Sequence, residues 1–118
     1  MIAWGTVVRA TNSGAGCGNF WPLCGGTLIP SFEVFHTGVE FSHRVMSGLL
    51  IIFVFTLVVW GTRVYKNDPL RKKIVWSILA FTIIESILGA GLVLLGLVEK
   101  NDSVLRIFAV SIHLLNTF

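Results

Sequence analysis

From Val45 to Thr62 the chain runs for 18 residues without a charge. A second run, Ile74 to Val98, covers 25 residues and is interrupted only by Glu85. A bilayer span needs about 20 predominantly apolar residues. In lipid a single segment must satisfy its own backbone polar groups, so such runs are expected to be helices. Two shorter apolar stretches flank them. Met1 to Val8 is too short to cross, and Val104 to Phe118 is apolar apart from Arg106 over 15 residues. Both read as incomplete spans, so the sequence is expected to be part of a longer membrane protein or a half-size protein that self-assembles. Ala3 to Val8 lacks the apolar core of a signal peptide, and no charged segment precedes it.

Composition agrees with a membrane protein. The chain is 54% hydrophobic and only 13% charged, against about 25% charged in soluble domains. The formal net charge of +3 is small, and the basic residues do not sit on a polar domain. Lipid is therefore the expected partner, and nucleic acid is not.

The fold class predicted is all-α: one integral membrane four-helix bundle over residues 1–118, with helices at about 1–10, 34–64, 73–98 and 103–118. Pro22, Pro30 and Pro69 all fall between these segments, as helix breakers should. Residues 11–33 are rich in Gly and form a loop. The connection 63–73 carries Arg63, Lys66, Arg71, Lys72 and Lys73 against Asp68 alone. By the positive-inside rule it faces the cytoplasm, which places loop 11–33 outside a plasma (inner) membrane. Trp60, Tyr65 and Trp76 then form an inner aromatic belt, and Phe20, Trp21, Phe32 and Phe35 an outer one. Cys17 and Cys24 lie in the outward loop, where an oxidising compartment favours a disulfide over two free thiols. Such a bond would be structural, or labile and redox-active.

The head of the second helix is unexpectedly polar. His36, Glu40, His43 and Ser47 follow helical spacing along one face, and ionisable groups inside a span usually face the bundle interior and serve a function. With entry near Phe35, His43 lies roughly 12 Å down the axis; with entry near Val104 on the same side, His113 lies roughly 13 Å down. Two imidazoles at one depth on parallel helices suit a haem with an axial ligand on each face. Each could instead bond a neighbouring carbonyl. Zinc would need further ligands, and Glu40 is the only acid near that level. Arg9, Arg44 and Arg106 are candidates for anionic haem propionates. Snorkelling explains Arg9 and Arg106 equally, and Arg44 can pair with Glu40. Glu85, mid-span, must pair, be protonated or line a polar cavity.

The segments "VRATNSGAGCGNFWPLCGGTLIP", "VEFSHR" and "SIHLL" together resemble the N-terminal half of the heme A synthase family, in the family's order and over most of Val8 to Leu115. The resemblance implies a membrane oxidoreductase that converts haem O to haem A for cytochrome oxidase, oxidising the C8 methyl to a formyl group with water as oxygen source. It implies that Glu40 is the essential catalytic glutamate. His43 and His113 would be axial iron ligands at the site taking the haem substrate, and Cys17 and Cys24 the outward-loop pair. Members usually carry a second four-helix half holding haem b, which is not in this sequence. The expected partners are that remainder or another copy of this chain, and haem O synthase. The third helix often has Gln where this chain has Glu85. A bis-His cytochrome b-type electron carrier is the alternative, and a purely structural assembly subunit is the third reading. Glu40 separates enzyme from carrier, since a carrier needs no carboxylate beside its ligand.

Overall fold

A four-residue turn reverses the chain between the two long apolar runs and sets the architecture. The computed structural model describes residues 2–98 and 101–117. It contains four helices: α1 (Ile2–Ala10), α2 (Phe35–Val64), α3 (Pro69–Leu94) and α4 (Val104–Thr117). No strand forms among the described residues, where an isolated bridge joins Cys24 and Thr27. The all-α expectation is borne out. Met1 and Phe118, placed in helices by the sequence, lie outside the described residues.

The third helix differs from its expected span at both ends. It begins at Pro69, four residues before the expected start at 73. Asp68 caps it, accepting the Arg71 N–H at 3.0 Å, and Pro69 takes the first position, where its missing N–H costs nothing. The basic cluster thus forms the first turn of α3. The helix ends at Leu94 although Leu97 and Val98 are apolar. Gly96, at φ +63°, donates to Val93 O at 3.0 Å while Leu97 donates to Leu92 O at 2.8 Å. That pattern closes a helix on a left-handed residue. Asn12, at φ +51°, ends α1 in the same way, with Ser13 N–H on Val8 O at 2.8 Å. Apolarity alone misplaced the ends of α3 because capping is decided by backbone geometry.

Packing runs in chain order, α1 on α2, α2 on α3 and α3 on α4. The core between the long helices is Val54, Val58 and Leu79, with Val75 against it. Gly61 lets α3 come close: a Cβ there would stand 3.2 Å from Val75 Cγ2. Most of the apolar surface of α2 and α3 is exposed in the single chain, unlike the core helices of a soluble protein. Both are long and apolar enough to cross a membrane. Between lipid-facing helices close packing of this kind, rather than hydrophobic burial, supplies the attraction. Trp60 and Trp76 are exposed near one end of the helix pair, and Phe20, Trp21, Phe32 and Phe35 near the other, as interfacial anchors require.

Candidate functional site

The glycine-rich loop does not float above the bundle. It lies along the first turns of α2. Cys17 and Cys24 form the disulfide, both about 1% exposed, as the sequence led us to expect. Gly25, in the left-handed region at φ +59°, donates to Cys17 O at 3.0 Å and folds the bridged loop on itself. Gly16 packs so tightly on the start of α2 that a Cβ would fall 2.3 Å from His36 O. Thr37 Oγ1 donates to Gly16 O at 2.8 Å. Ser13 is fully buried, with its hydroxyl 3.0 Å from His36 Nδ1, so the surface histidine has a partner that sequence spacing did not indicate.

Glu40 sits at the centre of this contact and is 4% exposed. Its Oε2 accepts the Cys17 N–H at 2.7 Å. Its Oε1 accepts from Arg44 Nε at 3.1 Å and from the same guanidinium's terminal nitrogen. The remaining arm of Arg44 donates to Phe20 O at 2.5 Å and Leu23 O at 2.6 Å. Of the roles open to Arg44, the ion pair with Glu40 is the one formed. All three of its nitrogens donate to protein acceptors. Arg9 lies exposed at the end of α1.

His43, one turn further in, faces α1. A Cβ on Gly5 would stand 3.4 Å from His43 Nε2. Ser47 Oγ donates to His43 O at 2.8 Å and lies 3.3 Å from its Nδ1. With the hydroxyl proton on the carbonyl, Ser47 Oγ is free to accept from Nδ1 in the tautomer that carries its proton there. Nε2 then keeps its lone pair. His113 rests on α3 in a parallel manner: a Cβ on Gly89 would stand 3.4 Å from its Cε1 and 3.8 Å from its Nε2. Its Nδ1 lies 3.2 Å from Glu85 Oε1, without the alignment of a hydrogen bond.

Glu85 resolves into a pairing. Asn116 Nδ2 donates to its Oε2 at 2.9 Å, and Thr117 Oγ1 donates to its Oε1. Asn116 also reaches Phe81 O at 3.0 Å. Asn116 and Thr117 were not singled out in the sequence. The available signal was their position three and four residues after His113, on its side of an apolar helix.

These residues fit a haem. Among the described residues no three His, Cys, Asp or Glu side chains gather into a cage for a bare metal ion, whereas a porphyrin brings its own in-plane donors and asks only for axial ones. Gly5 and Gly89 leave beside each imidazole the space that a Cβ would fill. Two buried donor atoms, Trp4 Nε1 on α1 and Arg106 Nε on α4, have no partner among the described residues, although another nitrogen of Arg106 donates to Asn101 O at 3.2 Å. Buried donors are rarely left so, and both suit the carboxylates of haem propionates.

The comparisons with known proteins agree. The family model described as cytochrome oxidase assembly protein (COX15-CtaA) matches residues 1–118. The heme A synthase of Halalkalibacterium halodurans is 45% identical over 98 residues, 81% of this chain and 32% of that protein. The heme A synthase of an Exiguobacterium species (strain AT1b) is 37% identical over 113 residues, 95% of this chain and 36% of that protein. A protein of Thermus thermophilus named protoheme IX farnesyltransferase is 41% identical over 119 residues, all of this chain and 19% of that protein. No solved structure matches. The chain spans between about a fifth and about a third of the length of these relatives. It belongs to the COX15-CtaA family of cytochrome oxidase assembly proteins, the family of the heme A synthases.

Proposed function

We propose that this chain is the haem-substrate half of a heme A synthase, oxidising the C8 methyl of haem O to the formyl group of haem A. The observation that carries this reading is the matched pair His43 and His113. Each offers a ring against a glycine of the adjoining helix, on two helices that run the same way. The pair would hold the haem iron, and the haem would supply the redox chemistry when bound. The methyl loses hydrogen and gains a water-derived oxygen, and the electrons and protons released pass to an acceptor.

Glu40 is the acid–base residue of this proposal. It lies one turn outward of His43, and its two oxygens are held by the Cys17 N–H and by Arg44. A carboxylate beside the ring edge would take a proton from the methyl or water, or stabilise a developing cation. Arg106 and Trp4 would bind propionates, with Arg9 at the outer rim.

The basic turn 63–73 would face the cytoplasm and the disulfide loop the outside of a plasma membrane. Completing the bundle would fall to the remainder of a longer chain or to a second copy. The Thermus relative, named for farnesyl transfer to protoheme, supports a haem-related substrate, and haem O synthase would be the working partner that supplies it.

The test is production of formyl haem by cells supplied with haem O. Wild type should yield it and Glu40→Gln should not. A Glu40→Gln protein with full haem A output would refute the enzymatic role. His43→Ala or His113→Ala protein that keeps a bis-His spectrum would refute the ligand pair.

A further inference from the structure

His43 and His113 are alike on the Nε2 side, where each meets a glycine. They differ on the Nδ1 side. His43 Nδ1 has the neutral hydroxyl of Ser47 at 3.3 Å, and His113 Nδ1 has the carboxylate of Glu85 at 3.2 Å. The carboxylate is not a loose neighbour. Asn116 holds one oxygen and Thr117 the other, both from the helix that carries His113. Thr117 Oγ1 also lies 2.9 Å from His113 O, so its one proton is shared between that carbonyl and Glu85. Glu85, on α3, is thus clamped from α4 within reach of the one nitrogen of His113 that a metal at Nε2 would leave free. That nitrogen is buried and has no aligned acceptor among the described residues.

Resting on the ligand assignment above, we propose that Glu85 is a positioning residue for the haem. It accepts the Nδ1 proton of His113, fixes the ring with Nε2 toward the iron and makes that ligand the more electron-donating of the two. Partners on the outer nitrogen of a ligating histidine orient the ring and raise its basicity. A carboxylate does so more strongly than a hydroxyl, because the bond is charge-assisted. A more basic axial ligand stabilises the ferric over the ferrous state, so the clamp holds the reduction potential down. The Ser47–His43 side lacks this effect, and the two faces of the haem are electronically unequal.

The experiment uses the purified protein with its bound haem, and the signal followed is the one that His113→Ala removes. In Glu85→Gln the amide oxygen still accepts from Nδ1 but the charge is gone. The low-spin bis-His spectrum should persist while the midpoint potential rises. Ser47→Ala should move the potential less. Glu85→Ala should weaken haem retention about 10–100-fold. If Glu85→Gln fails to hold haem, Thr117→Val, which frees one carboxylate oxygen, should give a smaller rise. A Glu85→Gln protein with wild-type potential, or a Thr117→Val protein with wild-type potential in the fallback, overturns the proposal and leaves the ligand pair intact. If His113→Ala removes no haem signal, the ligand assignment itself is wrong and the proposal falls with it.

Discussion

Cys17 donates its backbone N–H to Glu40 Oε2 at 2.7 Å, joining two residues 23 positions apart. A disulfide-bridged loop and the polar head of a spanning helix therefore form one unit. Arg44 completes it by bridging Glu40 to the carbonyls of Phe20 and Leu23. The carboxylate proposed for catalysis is also the loop's anchor, and the two roles separate experimentally.

Glu40→Gln keeps an acceptor for the Cys17 N–H, so folding should largely survive. Haem A formation should fall by about 10²–10⁴-fold, the usual contribution of a positioned acid or base. Glu40→Ala leaves a buried N–H and a guanidinium without their acceptor and should cost about 3–5 kcal/mol as well. Thermal melts beside product assays distinguish the two variants.

The disulfide closes an eight-residue loop, from Cys17 to Cys24. Replacing both cysteines with serine should destabilise the protein by about 2.5 kcal/mol in the chain-entropy account. Loosening the loop should also reduce haem A output through Glu40. Melting temperature and product yield should fall together; a fall in neither would disprove the coupling.

Gly16 has no room for a side chain, because the obstruction is the backbone of His36 and Thr37. Gly16→Ala should push the loop off α2 and cost about 3 kcal/mol, the upper end for overpacking. Faster proteolysis within residues 11–33 is the expected readout. Gly48→Ala, with nothing within 4 Å of its Cβ, is the control.

Gly5 marks the face of α1 turned to His43 Nε2. Gly5→Val would fill that space with a branched side chain. Bound haem should be lost while helix content by circular dichroism is kept. Haem retained at wild-type level would show that the ring does not lie against α1.

Among the described residues there are no free cysteines, so labelling can report sidedness. In cells, Lys66→Cys should resist an impermeant thiol reagent until the membrane is opened, and Leu28→Cys, 81% exposed, should react at once. The reverse pattern would invert the proposed topology.

The sequence by itself determined the elements. Two apolar runs of spanning length leave the backbone no alternative to helix in lipid. Glycines and prolines mark the loop, and the cysteine pair closes it. His43 and His113 stood out because a polar group in an apolar run is expensive. The family was legible in the ordered loop, Glu-x-x-His-Arg and His-Leu-Leu motifs. What these features could not supply was rotation. α2 and α3 are apolar on nearly every side, so no stripe of polarity says which face meets which neighbour. Only the tertiary structure joined Glu40 to Cys17, committed Arg44 to Phe20 and Leu23, and set Glu85 between His113, Asn116 and Thr117. It also ended α3 at Leu94, a decision made by two backbone hydrogen bonds around Gly96 against the apolar character of the residues that follow. Local composition decides where a helix can exist; the inter-helix contacts that make a site are decided by close packing, where a single missing Cβ, as at Gly5, Gly16 or Gly89, chooses the partner.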